Sequence, residues 1–575
     1  MKSLFMPKTQ NKAYIVYGTV FIGSVILYIV LFGTKILNPF YVDWIFEKTN
    51  DTAEMYLGWK SFRYSDWYFP IGLQDNLAYP EKTSVVFTGA IPIAAVFFKL
   101  FSPILPKGFQ YFGIWGLMDF ALVGILTARI IYRQTKSEIA SLFSGIFLQI
   151  SCMLVGRMFV HPGLSSCWQI LLALEPFILS KQFSDRAYYK RMCLLGILAA
   201  GTHPYYLGMC GICIAGGSIA VFLSDRKCRK ELYGISVYIM SALSLLFLLG
   251  AFSTSSFYHV EQQQYTDGLG VPSFNLINLF NPRSNASAIL REHAVWDIHQ
   301  ADGYLGMGAI LLFYASIILL LKSGMLVTLK EWLSKHRTMT LTLFITFIIA
   351  LMFAVSPRVT LGSRVLFEIP LPKIVWNAWG IFRATSRFSW ILDIIIVIAS
   401  ITIIARQLNV RAALCMMLFC SCVQLYDYHV VLNEKKADLN KNYTYVSKIN
   451  DSSDSGIWKT IGEDDQIKYI IMVQKLGLED LYPITDFVIN TGKKENNFYF
   501  ARPLDNFEKH VEEALNDPDE SKLFIFARSV PKICYDYDLY YYLTDRYIIG
   551  YVNEIDTDAE RVSIDREGNI LPVRQ

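Results

Sequence analysis

The 575-residue chain is 53% hydrophobic and 15% aromatic but only 18% charged, with a mean hydropathy of +0.34. That balance excludes an ordinary soluble enzyme and points to a chain that crosses a bilayer many times. The formal charge of +4 comes from basic residues in short loops between apolar runs, so no nucleic-acid-binding face is expected.

In chain order, Lys2, Lys8 and Lys12 precede an apolar run over 14–32 that lacks a small-residue cleavage site, which reads as a retained first span. Spans are expected at about 14–34, 109–132, 138–156, 162–180, 190–203, 205–223, 232–253, 303–321, 338–355, 389–405 and 410–426, about eleven in all. Basic connections at Arg133 and Lys136, Lys181 to Arg191, Arg226 to Lys230, Lys322 to Arg337 and Arg406 to Arg411 share a side with the N-terminus. The positive-inside rule makes that side the cytoplasm, in a multi-pass protein of the cell membrane. The alternation holds if residues 85–104, with Lys99 and two prolines, lie flat in the outer interface. Nine of the ten cysteines fall in expected spans or cytoplasmic loops, which excludes a disulfide framework. The Cys210-x-x-Cys213 pair sits inside an apolar run and reads as packing.

The outer side collects the residues with chemistry to offer. Directly after the first span come Asn50-Asp51-Thr52-Ala53-Glu54-Met55-Tyr56-Leu57-Gly58-Trp59 and then Ser65-Asp66-Trp67-Tyr68-Phe69-Pro70. Charge at a bilayer interface is retained mostly where it binds or reacts. An outer-face enzyme needs a substrate activated without nucleotides, and a sugar on a polyprenyl phosphate supplies one. Transfer needs a base for the acceptor hydroxyl and cations for the departing phosphate. Asp51 is the candidate base, against the alternative that it only caps its helix. Glu54 falls one turn on, on the same face, where it would orient a substrate or a metal. Lys60 and Arg63 read as a solvated helix face, and Asp43 and Asp66 as ordinary loop residues.

For the phosphate, Arg383 and Arg387 lie four apart at the entry to the 389–405 span, a helical spacing that suits a bidentate clamp or a headgroup anchor. Arg157 is a third candidate. His161 and His203 both precede proline. Each could bind phosphate, share the base work, or bond carbonyls freed by the proline; the last is the reading for His203, and both stay open for His161. Arg283 and Asp297 in the fourth external loop (254–302) are further contacts.

The acidic opening, the four-turn helix and the Asp66-Trp67-x-x-Pro70 exit resemble the first external loop of GT-C membrane glycosyltransferases, the class that includes aminoarabinose transfer to lipid A and protein O-mannosylation. The likeness is one of pattern over roughly residues 10–250 and includes the Gly156-Arg157-x-x-x-His161-Pro162 run. It implies an α-helical polytopic GT-C-like fold and an inverting transferase that uses a lipid-linked sugar donor and a glycan, lipid or protein acceptor among membrane lipids. Many relatives carry a second acid near the position of His161. Its absence here leaves no assigned metal ligand, so a divalent metal is compatible with the sequence but not required. More closely, the chain resembles an uncharacterised bacterial membrane family with the same first loop, through Val86-Phe87-Thr88, Ile91-Pro92, Tyr304-Leu305-Gly306-x-Gly308 and Phe382-Arg383-x-x-x-Arg387-Phe388-x-Trp390.

After about residue 428 the composition turns charged and aromatic. Strands are expected at 467–473, 523–526 and 547–552, and an amphipathic helix at 505–515. The expected organisation is a transmembrane domain over 1–427 and a small extracytoplasmic α/β domain over 428–575 that positions the acceptor or caps the cavity. Two other classes compete. A lipid-linked-glycan flippase would spread charges along its spans on both leaflets, whereas interior charges are few (Asp119, Glu175, Asp393) and the outer ones cluster. A non-enzymatic envelope assembly protein would work through its C-terminal domain alone.

Overall fold

A computed structural model describes residues 8–47, 51–179, 183–225, 229–253, 269–283, 286–300, 302–322, 336–449, 455–501, 506–529 and 531–573. Outside them lie Lys2, Asn50, Lys181, Arg226, much of the fourth external loop and most of the 322–337 connection. Among the described residues seven helices are long and apolar enough to cross a membrane. They are α1 (Lys8–Phe32), α2 (Phe112–Thr135), α3 (Pro204–Asp225), α4 (Arg229–Leu248), α5 (Arg337–Val355), α6 (Ser389–Gln407) and α7 (Val410–Asp427). The other four expected spans map to shorter or more polar helices. The 138–156 span is broken into Glu138–Ser144, Ile146–Gln149 and Cys152–Val155, and 162–180 holds Trp168–Ile178. The 190–203 span lies within Asp185–Thr202, whose first turns carry Arg186, Lys190 and Arg191, and 303–321 is met by Met307–Lys322.

Packing divides the chain into two compact units. The first comprises Met1–Tyr41, Gln110–Ser244 and Val260–Lys441. Its helices are tied by buried polar groups as well as by apolar packing. Such links suit a lipid environment, where an unsatisfied polar group is costly. Gln149 donates to Ser24 Oγ and to the Phe120 carbonyl, both at 2.8 Å. Asp119 accepts from Ser165 at 2.5 Å, Ser166 at 2.9 Å and Trp168 Nε1 at 2.6 Å. The fully buried Glu175 is held by Arg129 at 2.7 Å and Arg191 at 2.9 Å. The three interior acids of the sequence thus include two with dedicated partners. Cys210 is buried with its thiol 3.6 Å from the Gln169 carbonyl, in keeping with packing. Helix His429–Asn440 belongs to this unit, because Lys436 and Asn440 donate to the Val30 and Phe32 carbonyls of α1 at 2.9 and 2.8 Å. The unit ends at Lys441.

The second unit joins Val42–Phe109 and Leu245–His259 to Asn442–Gln575. Its centre is a seven-stranded sheet of β1 (Tyr469–Met472), β2 (Lys494–Glu495), β3 (Lys522–Ala527), β4 (Tyr540–Leu543), β5 (Tyr547–Tyr551), β6 (Glu560–Ile564) and β7 (Ile570–Pro572), in the order β7-β6-β4-β5-β3-β1-β2. Strands β3, β1 and β2 are parallel and the remaining pairs antiparallel. Leu523 to Phe526 are buried without alternation, as a central strand covered on both faces requires. Helix Phe507–Asn516 places Phe507, Val511, Ala514 and Leu515 on one stripe against Phe524, Phe526 and Ile548.

The first loop is built into this unit. Tyr79 N–H donates to the Glu495 carbonyl at 2.9 Å and Glu495 N–H to the Asn76 carbonyl at 2.8 Å, so the loop extends the edge at β2. Tyr79 stacks on Tyr469 with ring centres 3.8 Å apart, and Lys494 pairs with Asp75 at 2.5 Å. The 85–104 segment forms a 3₁₀ turn (Val85–Thr88) and the helix Pro92–Lys99. Lys99 is buried, donating to Ser65 Oγ at 3.0 Å and the Asp66 carbonyl at 3.1 Å. Its ammonium lies over the Phe62 and Trp67 rings at 4.1 and 4.6 Å. Burial holds it down at about 8 against the pull of Asp66 and Asp75.

Candidate functional site

In the second unit the acidic pair opens helix Asp51–Tyr64. Asp51 and Glu54 occupy its first turn and Arg63 its last, the arrangement the helix dipole favours. Thr52 to Arg63 are all buried, so the helix is enclosed around its circumference. Gly58 is required by that enclosure: a Cβ there would meet the Thr88 Cβ at 2.5 Å. Lys60 and Arg63 are not a solvated face. Lys60 donates to Asp486 and Asn490, both at 2.7 Å, and Arg63 gathers the carbonyls of Ser102 at 3.1 Å, Leu105 at 2.5 Å and Pro106 at 2.6 Å. Both cations are committed to holding the helix in place.

Glu54 is different. Among the described residues neither of its carboxyl oxygens has a hydrogen bond, and it is 6% exposed. Burial, and then the charge of Asp51, push its carboxyl well above the ordinary range. Tyr482, on helix Leu478–Asn490, feels the charges of both acids and buries a hydroxyl with no partner among the described residues. A buried acid and a buried, unpartnered phenol next to a second acid are the marks of a site built to meet polar ligand groups.

In the first unit a second group forms around Asp302. Arg157 Nη2 binds Asp302 Oδ1 at 2.7 Å, and Ser386 Oγ donates to Oδ2 at 2.9 Å. Burial would raise this carboxyl, but the charges of Arg157 and Arg387 outweigh it and hold it below the usual range. Asn278 fixes the Asp302 carbonyl at 3.0 Å. The next residue, Gly303 (φ +109°), makes a turn in which a Cβ would strike the Phe274 ring at 2.6 Å. Arg387 lies in the 3₁₀ turn Thr385–Phe388, its guanidinium 4.7 Å from the centre of the Tyr205 ring. Tyr205 in turn accepts the Ala384 N–H at 2.8 Å.

His161 is half-buried beside these cations, and its buried Nδ1 has no hydrogen-bond partner among the described residues. Burial first, then the charges of Arg387 and Arg157, pull it down to about 3, so its imidazole is neutral at physiological pH. In that form it is a hydrogen-bond donor or acceptor. Its ring meets His203 edge-on at 5.1 Å. His203 does not bond freed carbonyls as expected; its Nδ1 accepts the Tyr205 N–H at 3.3 Å, capping the start of α3.

The sequence-derived residues thus fall into two groups, Asp51 with Glu54, and Arg157 with His161 and Arg387. Arg383 joins neither. It is exposed on a bend, and Ala384 (φ −91°, ψ 75°) breaks the helix between it and Arg387, so their four-residue spacing is not a helical one. Arg283 and Asp297 are spent locally, on Glu292 at 2.5 Å and His299 at 2.7 Å. Sequence reasoning missed Tyr205, Asp302, Ser386 and Tyr482. Only Asp302-Gly303 carried a signal, an acid before glycine in a long loop. Among the described residues no three His, Cys, Asp or Glu side chains are grouped to hold a metal ion.

No curated protein matches the chain. Among solved structures it is similar to the archaeal oligosaccharyltransferase AglB from Archaeoglobus fulgidus, in complex with an inhibitory peptide and a dolichol-phosphate, at 13% identity and a TM-score of 0.45, covering 95% of this chain and 75% of that one. It is also similar to ArnT from Cupriavidus metallidurans bound to undecaprenyl phosphate, at 11% identity and a TM-score of 0.43, covering 91% and 97%. Residues 21–429 match the model of a family described as a domain of unknown function, DUF6311. That match takes in well over half of the sequence, and the chain belongs to the DUF6311 family.

Proposed function

We propose that this protein is a membrane glycosyltransferase that moves a sugar from a polyprenyl-phosphate-linked donor to an acceptor hydroxyl at the outer face of the cell membrane. Asp51 acts as general base. The acceptor oxygen attacks the anomeric carbon with inversion, its proton passes to the Asp51 carboxylate, and the bond from that carbon to the phosphate oxygen breaks. Glu54, kept protonated by its burial, donates a hydrogen bond to a substrate hydroxyl, and Tyr482 supplies another. Arg157 and Arg387 take up the charge that develops on the leaving phosphate, with neutral His161 as a further hydrogen-bonding group. Asp302 positions Arg157. The reading places the N-terminus in the cytoplasm and residues from about 428 onward outside, with about eleven spans between.

The observation that carries this reading is the acidic pair on one helical turn, of which Glu54 is buried with its carboxyl raised toward the neutral form. Membranes carrying the protein, offered a panel of polyprenyl-phosphate sugars, test it. Asp51→Asn keeps size but removes basicity, so transfer should fall by about 10²–10⁴ while the melting temperature holds. Asp66→Asn should transfer like wild type. Near-normal turnover in a folded Asp51→Asn protein returns Asp51 to helix capping and refutes the assignment.

A further inference from the structure

The first unit contains a groove of about 930 Å³ between helix Met307–Lys322, α5 and α6. Its walls are apolar, with Phe313, Ile317, Phe344, Phe347 and Ile395 among them, and its size is that of a site for a sizeable small molecule. Polar groups gather at one end, where Gln134, Arg406 and Gln407 line it. Arg406 Nη2 donates to the Gln134 carbonyl at 2.9 Å, and Thr402 Oγ1 to Gln134 Oε1 at 3.2 Å, so that end is a built, hydrogen-bonded rim. Basic residues are frequent there in sequence. Arg133 and Lys136 close α2, Arg337 opens α5, and Arg406 and Arg411 flank the α6–α7 turn. The groove belongs to the end of α6 opposite Arg387. Nineteen residues separate the two arginines, roughly 28 Å at the rise of a helix. It is therefore separate from the Arg157–Asp302–Arg387 group.

We infer that this groove is a binding site for an anionic glycerophospholipid of the leaflet that bathes the basic ends of the helices. One acyl chain lies along the apolar walls and the phosphate meets Arg406 and its amide neighbours. An apolar cleft opening between membrane helices takes hydrocarbon, and a basic rim at its mouth selects a negative headgroup, as basic pockets between helices do. The inference stands on the membrane-spanning helices alone and does not depend on the glycosyl-transfer reading.

The test uses full-length protein in nanodiscs with a phosphatidylglycerol carrying a diazirine in one acyl chain, and the matching phosphatidylcholine. Irradiation of wild type should label α5 and α6 within 339–347 and 395–403, with phosphatidylglycerol ahead of phosphatidylcholine. Arg406→Gln should cut that headgroup preference about fivefold, the effect of roughly one interfacial cation, while labelling by the chain persists. Ala399→Trp should fill the groove and abolish labelling there by both lipids. Labelling of wild type that is spread evenly over lipid-facing helices overturns the site without relying on any variant. An unchanged headgroup preference in folded Arg406→Gln overturns the role of the rim.

Discussion

Replacing Glu54 by glutamine should stabilise the protein in a pH-dependent way. Glu54 is 6% exposed, and burial together with the charge of Asp51 raises its carboxyl in the fold. In the unfolded chain it titrates near the ordinary glutamate value of about 4.3. The fold therefore holds a proton that the unfolded chain releases, and this contribution is complete below about pH 4.3 and is lost as pH rises through the folded value. With one proton at stake the stability slope reaches about 1.4 kcal/mol per pH unit in that window. Glu54→Gln is neutral at every pH and removes the slope. Its advantage over wild type should be near zero at about pH 4.3 and grow toward neutral pH. Melting in detergent can be followed through tryptophan fluorescence. Trp59, fully buried one and a half turns on and bonded to the Phe109 carbonyl at 3.1 Å, reports on this helix. Because glutamine is also a neutral hydrogen-bond donor, the variant should keep much of its transferase activity while gaining stability. A difference in melting temperature that is constant with pH, or a variant less stable than wild type at neutral pH, refutes the reasoning.

Lys60→Met should destabilise the second unit by about 3–5 kcal/mol, because it strands the buried Asp486, and Lys60→Met/Asp486→Leu should recover most of the loss in thermal melts. Arg387→Lys should keep the charge but lose the planar contact over Tyr205, lowering turnover more than donor affinity; wild-type turnover would leave Arg387 as a headgroup anchor. Asp302→Asn should lower turnover by releasing Arg157 from the carboxylate that positions it, while His161, already low, stays neutral. Wild-type turnover in the folded variant would leave the Asp302–Arg157 pair a purely structural tie.

Much of the secondary structure was legible because its signal is periodic. The expected strand at 523–526 lies within Lys522–Ala527, and the expected helix at 505–515 is met by Phe507–Asn516, since a short continuous apolar run and helical striping are local properties. The 138–156 run read as one span because hydropathy cannot see Gln149, whose amide reaches Ser24 and Phe120 and helps fix the short helices there. Burial of Lys60 was illegible for a similar reason. Its partner Asp486 is 426 residues away, and a cation on a polar-looking helix reads as solvated until that partner is known. Asp302 lies 145 residues from Arg157 and was passed over as loop. Arg383 and Arg387 failed in the opposite direction. Their spacing carries meaning only if the backbone between them is helical, and Ala384 is not.

The two arginines at the ends of α6 show what separates an anchor from a ligand-binding cation. An anchor needs charge, a long stem and access to headgroups, and its neighbours are indifferent to it. Arg406 sits at an apolar groove's rim, held to a backbone carbonyl, and suits a phospholipid that stays in place. Arg387 is half-buried over an aromatic ring, and its charge reaches a buried carboxylate and a half-buried imidazole. A neutral His161 does nothing for an anchor. Beside two guanidiniums it is a hydrogen-bonding ring with no competing positive charge of its own. A phosphate that gains charge as its bond breaks can then be met by the guanidiniums while the imidazole holds an uncharged group of the same substrate. That division of labour is the reason to place donor chemistry at the Arg387 end of the helix and lipid binding at the Arg406 end.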